Sequence, residues 1–302
     1  MDFEQIRAFL NVASLKSFSE AAEKMFVSQP SISVRIKALE EELGVKLFDR
    51  SRAREPVLTE AGKIFLDCAQ SILELHDDCR EKLSGKREEA TGLVYIGSST
   101  VPGTCLLPSL MASFKRTTKS AIDFNIDILD TSAVLEGVLN YSYDLGFVGQ
   151  AGQDERLKYI PLMEDELVLC VKKGTLKKAD HLAGVPVELL LSHHLVMREK
   201  GSATRQLLER KMAEKGFETA WFQGITYINN LEGIRQAVKE GLGSAVVSRL
   251  SVNDMVGAGS VDVFPIRDLD LKRYLYLVYH HSRILGAAAR IFRDYCTGEF
   301  TK

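Results

Sequence analysis

No two cysteines in this 302-residue sequence have the spacing of a metal or redox site. Cys68, Cys79, Cys105, Cys170 and Cys296 stand singly; an odd count without a CxxC pair is a poor disulfide framework, so reduced thiols are expected. HExxH is absent too. His193-His194 and His280-His281 are adjacent pairs whose side chains diverge, so no metal is expected. There is no GxSxG elbow, and Gly241-Leu242-Gly243 lacks the third glycine of a dinucleotide fingerprint. No catalytic residue and no cofactor are therefore assigned. No apolar run approaches the ~20 residues of a membrane span, and mean hydropathy is -0.05. Met1-Asp2-Phe3-Glu4 is acidic where a secretion signal is basic, which predicts a cytoplasmic protein without membrane partners. Excess charge is also lacking: Lys+Arg 39 against Asp+Glu 41 excludes a uniformly basic nucleic-acid coat but leaves room for a local patch. With 45% hydrophobic and 26% charged residues, the composition is that of a globular chain of two or three domains.

What is present begins with helical periodicity. Phe3, Ile6, Phe9, Leu10 and Ala13 recur at three- and four-residue steps. Ser17-Phe18-Ser19 breaks the pattern, and Ser19 is placed to cap a short second helix over about residues 20–25. Val27-Ser28-Gln29-Pro30 turns the chain into a third helix, with Pro30 in its first turn, Ile32, Ile36, Leu39 and Leu43 as an apolar stripe, and Gly44 as terminator. Two short helices joined by a tight turn, the second with a small-polar and basic outer face, form a helix-turn-helix pattern. Residues 45–59 then read as two short strands around a basic tip, a wing. Residues 1–62 hold nine basic and ten acidic side chains, but residues 46–54 hold four basic against one acidic. That segregation supplies the local positive charge that phosphate contacts need.

One long helix is expected from Thr59, its cap, to Ser84, with Gly85 as terminator. Phe65, Cys68, Ile72, Leu75, Cys79 and Leu83 step along it like a coiled-coil seam, which predicts dimerisation. Lys86-Arg87-Glu88-Glu89 reads as an exposed linker. The rest alternates strand and helix. Strands are expected at residues 93–97, 124–129, 145–148, 167–171, 195–197, 245–247 and 274–279. Helices are expected at 106–115, 133–139, 204–215, 231–239 and 287–295. The pattern predicts a wound α/β region with largely parallel sheets.

The sequence resembles the LysR-type transcriptional regulators. Residues 8–14 read A-F-L-N-V-A-S, residues 17–50 read S-F-S-E-A-A-E-K-M-F-V-S-Q-P-S-I-S-V-R-I-K-A-L-E-E-E-L-G-V-K-L-F-D-R, and residues 58–62 read L-T-E-A-G. Looser similarity continues through Tyr95-Ile96-Gly97, Leu107-Pro108, Asp144 to Gly149, and Val238 to Val247. The resemblance implies an N-terminal winged helix-turn-helix, all-α with a small β wing, at 1–62. It implies a linker and dimerisation helix at 63–90, and an effector-binding domain at 91–302. That domain would be a C-terminal α/β two-lobed fold like periplasmic binding proteins, with lobe one at 91–163 and 267–302 and lobe two at 164–266. One departure is that the family often has Arg after the Ser of the third helix, where this sequence has Val34, an apolar side chain suited to a thymine methyl.

Two sets of site residues follow. The start of a recognition helix enters the major groove, so Gln29 and Ser33 are expected to read base edges, with Pro30 beside them. Ser28, Ser31 and Arg35 would grip phosphate or sugar, capping being the alternative for the two serines. Arg50, Arg52 and Arg54 on the wing would reach the backbone or minor groove. For the effector, small molecules bind beyond the carboxyl ends of strands, where helix N-termini converge. Ser98, Ser99 and Thr100, then Thr131 and Ser132, then Gly149, then Arg198, Ser202 and Thr204, then Asn229 occupy such edges and suit a small anion. A peroxide-sensing cysteine pair is not expected, because 164–266 holds only Cys170.

The leading reading is a sequence-specific regulator controlled by a small, anionic effector. Its partners would be double-stranded promoter DNA, that effector, a second or further copies in a homodimer or homotetramer, and RNA polymerase as a further candidate. The alternatives are a small-acid-binding α/β enzyme and a solute-binding receptor carrying an unrelated N-terminal domain. Gly97 to Gly103 and Asp127 to Ser132 resemble regulators of sulfur or selenium assimilation, which would place the protein in sulfur-related metabolism.

Overall fold

Each N-terminal helix begins at a residue that satisfies its first amides. The computed structural model describes residues 1–49, 56–84, 91–118, 120–176 and 183–300. Helix α1 (Phe3–Leu15) opens with a capping box, the Asp2 carboxylate accepting the Gln5 N–H while the Gln5 side chain accepts the Asp2 N–H. Helix α2 (Phe18–Lys24) is capped by Ser17, not by Ser19: the Ser17 hydroxyl accepts the Glu20 N–H. The earlier start brings Phe18 into the first turn, where its ring meets that of Phe48 at 5.9 Å. Helix α3 (Gln29–Leu43) starts from Ser28, carries Pro30 in its first turn and stops at Gly44, whose φ of 70° suits a residue without Cβ. Ile32, Ile36 and Leu39 are wholly buried against α1 and α2.

Strands β1 (Phe48–Asp49) and β2 (Val57–Leu58) pair antiparallel as the base of the wing, with Phe48 opposite Leu58. Its tip, with Arg50, Arg52 and Arg54, lies outside the described residues. The wing is fastened to α3 by a buried carboxylate. Glu40, 3% exposed, accepts the backbone N–H of Leu47 at 2.9 Å and of Phe48 at 3.3 Å and pairs with Lys46 Nζ at 2.8 Å. On the other side, Thr59 donates its hydroxyl to the Lys46 carbonyl at 2.6 Å and accepts the Gly62 N–H at 2.9 Å. Gly62 comes so close that a Cβ there would stand 2.1 Å from the Leu47 carbonyl oxygen.

Thr59 thereby caps helix α4 (Glu60–Ser84). Phe65 and Ala69 are buried in the N-terminal core, and Phe65 meets Phe9 at 4.9 Å. Phe65 is therefore not part of an open seam. The stripe left facing out is Ile64, Cys68, Leu75 and Cys79, with Ile72 at its border. The Leu83 side chain and the linker 86–89 lie outside what is described.

The chain divides into two compact units, Met1–Glu88 with Arg283–Ala287, and Glu89–Ser282 with Ala288–Lys302. The second unit runs β3 (Thr91–Ser99), α5 (Leu107–Thr118), β4 (Ala121–Leu129), α6 (Thr131–Leu139), β5 (Leu145–Val148) and the long β6 (Leu157–Lys172). It continues α7 (Val187–Leu191), β7 (His194–Met197), α8 (Ala203–Glu214), β8 (Gly224–Tyr227), α9 (Leu231–Glu240) and β9 (Ala245–Ser248). The last elements are α10 (Asn253–Gly257), β10 (Val261–Phe264), β11 (Lys272–His280) and α11 (Ala287–Phe300). The main sheet has the order β10-β6-β11-β5-β3-β4, with β9 also on β6. Only β3–β4, β3–β5 and β7–β8 are parallel among these pairs. The expected largely parallel sheets are thus mixed, because β6 and β11 return without a crossover helix and pair antiparallel.

β6 does two jobs in sequence. From Leu157 to Glu166 it pairs with β11, and from Leu167 to Lys172 with β9 and β10. At the changeover Asp165, 1% exposed, receives the Ser248 hydroxyl at 2.5 Å and Arg273 Nε at 2.9 Å. Separate apolar clusters lie to either side: Val134, Val138, Val148, Leu157 and Val278 on one, and the Leu167–Leu207–Phe264 and Val168–Ile234–Val247 clusters on the other.

Glu40→Ala removes the acceptor of two backbone donors and leaves them without a side-chain partner. The N-terminal unit should lose about 2–4 kcal/mol, measured by urea unfolding followed through hydrogen exchange of residues 29–49. Burial pushes the Glu40 carboxyl up, but Lys46 and the two amides outweigh it and hold it below its ordinary value of 4.5. A lowered folded-state value means that this stability is present above pH ~4.5 and is lost as pH falls through the lowered value. The acid loss should be absent from Glu40→Ala.

Candidate functional site

The outer face of α3 is the first candidate surface. Opposite the buried Ile32, Ile36 and Leu39, the helix presents Pro30, Val34 and Lys37, all exposed, with Gln29 and the half-buried Ser33 beside them. Val34 keeps 66% of its surface exposed at the centre of this face. The two serines are committed to the helix start: Ser28 Oγ accepts the Ser31 N–H at 3.4 Å and meets Ser31 Oγ at 2.8 Å. Ser28 is thus the cap of α3, and Ser31 pairs with it. Arg35 turns back to α1 and pairs with Glu4 at 3.1 Å. Its charge is shared with its own domain before any phosphate arrives.

The second candidate is a cleft in the other unit, lined by residues from strand ends on both sides of β6. Ser99, Thr100 and Val101 come from the end of β3, with Leu129, Asp130 and Thr131 from the β4–α6 turn. Facing them are Arg198, Glu199, Gly201, Ser202, Ala203 and Thr204 from the β7–α8 turn, and Arg273 from β11. The cleft is open to solvent on one side, and the space within it is about 20 Å³, room for roughly one water. Just after Val101 the chain winds through a π-helical turn, Pro102–Leu106.

Hydrogen bonding within the cleft is uneven. Arg198, its side chain 12% exposed, grips the Glu199 carboxylate through Nε and Nη2, each at 2.8 Å, and reaches across to Thr100 Oγ1 at 3.2 Å. Burial pushes the Glu199 carboxyl up, yet the Arg198 guanidinium outweighs it and holds it below the ordinary range. Arg205 braces the turn by donating to the Arg198 carbonyl at 3.1 Å while stacking over Tyr227 at 4.6 Å. The Asp130 carboxylate caps α6 by accepting the Ala133 N–H at 2.9 Å. In contrast, the hydroxyls of Ser99, Thr131, Ser202 and Thr204 have no hydrogen-bond partner in the described structure. Ser99, Ser202 and Thr204 are 8%, 7% and 9% exposed. Ser202 stands at the N-cap of α8 without making the cap bond.

Of the residues expected from sequence, Ser99, Thr100, Thr131, Arg198, Ser202 and Thr204 meet at this cleft. Ser98 is buried in the sheet and donates to the carbonyls of Ser99 and Phe147, so it does not face the opening. Gly149 stands behind the cleft, where a Cβ would press on the Arg273 guanidinium at 3.0 Å. Ser132 points outward on α6, and Asn229 is exposed away from the lining while its neighbour Asn230 caps α9. Sequence reasoning missed Arg273, whose place depends on β11 register, and left Asp130 and Glu199 unassigned beside residues it did choose. Burial pushes the Cys170 thiol up to about 12, which makes it a poor nucleophile. Among the described residues no cluster of three His, Cys, Asp or Glu suits a metal, and no helix is long and apolar enough to cross a membrane.

Comparison with known proteins places both halves. Residues 3–63 match the bacterial regulatory helix-turn-helix proteins of the lysR family, and residues 87–301 match the LysR substrate binding domain. A probable RuBisCO transcriptional regulator of Cyanophora paradoxa is 30% identical over 96% of this chain and 90% of its own. An uncharacterized HTH-type transcriptional regulator of Methanocaldococcus jannaschii is 30% identical over 96% of this chain and 97% of its own. Among solved structures, a full-length OxyR variant from Pseudomonas aeruginosa superposes with a TM-score of 0.77 at 24% identity, covering 98% of this chain and 94% of that one. The effector-binding domain of QuiR in complex with shikimate gives 0.61 at 19% identity, over 70% of this chain and 98% of that one. Full-length CbnR complexed with its target DNA gives 0.59 at 21% identity, with all of both chains covered. From its helix-turn-helix through its α/β half, the chain belongs to the LysR family and is a transcriptional regulator rather than an enzyme.

Proposed function

We propose that this regulator binds promoter DNA through α3 and the wing and is controlled by a small anion held in the cleft at Arg198. The observation that carries the effector reading is the set of unpartnered hydroxyls of Ser99, Thr131, Ser202 and Thr204, gathered from segments far apart in sequence beside one guanidinium. These hydroxyl oxygens stay reachable from the cleft, since Tyr159 supplies the one buried unpaired side-chain oxygen among the described residues. Donors left open around a guanidinium and the amides starting α8 suit an anion with several oxygens. The QuiR domain was solved with shikimate, a carboxylate, which supports the same class here. The stretches 97–103 and 127–132 are the sole ground for a sulfur or selenium role. The relatives named above do not add to it, so the proposal stays with a small anion in a cytoplasmic regulator.

For DNA, the proposal gives Gln29, Pro30 and Ser33 base-edge contacts and Ser28, Ser31, Arg35, Arg50, Arg52 and Arg54 backbone contacts, with CbnR and its target DNA as the supporting likeness. The proposal takes domain limits of 1–62, 63–90 and 91–302, with lobes at 91–163 plus 267–302 and at 164–266; the first limit falls within α4 and one lobe limit within β6. Two copies joined along the exposed stripe of α4 would present two α3 helices to a two-fold symmetric site. Assembly into tetramers and contact with RNA polymerase are further parts of this reading.

Three outcomes test it. Ser202→Ala and Thr131→Val should each weaken anion binding about tenfold while leaving the melting temperature unchanged, measured by calorimetric titration with sulfate, phosphate and shikimate. Leu75→Glu should turn a sedimenting dimer into a monomer, because a carboxylate on that stripe must be desolvated in the interface. Val34 should read a thymine methyl. Replacing the facing thymine by deoxyuridine should weaken the parent about 3–4-fold, the worth of one buried methyl, and should leave Val34→Ala unaffected in mobility shifts.

A further inference from the structure

We propose that Glu199 is a built-in stand-in for the effector: its carboxylate holds the fork of Arg198 that an incoming anion must take. The inference rests on the anion-cleft reading and adds to it the geometry asked of the ligand and the way the Arg198 fork is held before it arrives. Glu199 is the anion bound in the cleft as it stands, presenting two oxygens to Nε and Nη2 of Arg198 at 2.8 Å each. Thr100, from the facing wall, accepts from the same Nη2 at 3.2 Å, so its own hydroxyl proton is free to point at whatever replaces the carboxylate.

Three observations separate this pair from an ordinary surface ion pair, which contributes little. Arg198 is nearly buried, with a side chain 12% exposed, so its charge is poorly served by water and needs an anionic partner. Both nitrogens that a two-oxygen anion would take are already held by Glu199, and the space beside them is only about 20 Å³. Charge gives the third. Asp165 already neutralises the second guanidinium of the lining, Arg273, and Asp130 caps α6, so with Glu199 in place the cleft has no positive charge to spare. Glu199 can leave. Its side chain is 34% exposed, and it sits in the turn before α8, where a rotamer change carries it into water.

The ligand is therefore an anion that offers two oxygens from one atom, a carboxylate or a tetrahedral oxyanion, and not a halide. Its apparent affinity is the intrinsic affinity reduced by the fraction of molecules in which Glu199 has let go.

The test is anion binding to the full chain by calorimetric titration, at constant ionic strength in chloride, with sulfate, inorganic phosphate, acetate and shikimate as probes. Glu199→Gln keeps the length and removes the charge, and should bind the preferred probe about tenfold tighter than the parent. Glu199→Asp, one methylene shorter and so reaching the Arg198 fork less well, should show a smaller gain and serves if the glutamine variant folds poorly. Glu136→Gln removes a negative charge from the exposed face of α6, outside the lining, and should change affinity no more than about twofold. Sulfate and phosphate together above the carboxylates would identify an inorganic oxyanion as the source, and the reverse order a metabolite carboxylate. Equal affinity of parent and Glu199→Gln, or equal gains in Glu199→Gln and Glu136→Gln, overturns the stand-in role while leaving the anion cleft intact. No binding of any probe to any variant overturns the anion cleft itself, and the stand-in with it.

Discussion

The α/β unit depends on a single constraint: one strand, β6, belongs to both halves. Through Glu166 it is held by β11, and from Leu167 it is held by β9 and β10. The changeover is pinned by Asp165, which takes the Ser248 hydroxyl from one side and Arg273 from the other. A buried carboxylate with one partner removed is strongly destabilising, so this three-residue contact fixes where the halves may bend. Arg273 also lines the cleft, and Gly149 clears the space behind it. Arg273 thus joins the wall of the cleft to the changeover of β6.

The cleft then follows from the way strands end. β3, β4 and β7 each deliver a turn and a helix start, and those turns carry the hydroxyls. Asp130 caps α6 and Asn230 caps α9. Ser202, able to do the same, stands at the cap position of α8 with its hydroxyl unspent. A protein needing only stability would have closed that bond, since a cap is worth ~1 kcal/mol. Its vacancy faces the same space as Ser99, Thr131 and Thr204.

Much of this was legible in the sequence where the determinant is local. Ser28, Pro30 and Gly44 bound α3 because caps and positive φ are properties of single residues. Ser99, Thr100, Thr131, Arg198, Ser202 and Thr204 could be proposed because a hydroxyl after a strand end is a local pattern. What escaped depends on partners distant in sequence. The first half of β6 carries Pro161 and three successive acids at its crossing, which hide a strand that only β11 reveals. β10 reads V-D-V-F, and its Asp262 is held by Lys173. Glu40 reads as one of three helix-end acids until the Leu47 and Phe48 amides are seen turning back on it. Phe65 satisfied the heptad spacing as well as Ile64 does, and only the packing of Phe9 tells the inner ridge of α4 from the outer.

Gly62 carries a consequence for anyone who maps this domain by genetics. Its hydrogen atom is all that fits against the Leu47 carbonyl, so any side chain there pushes the wing away from the long helix. Such alleles would lose operator recognition through the fold of the domain, and would resist suppression by altered operators, since no base faces them. A screen scored on promoter control alone would count them with the proposed base readers and draw the footprint of the protein too wide. Scoring the same alleles for folding would separate the two.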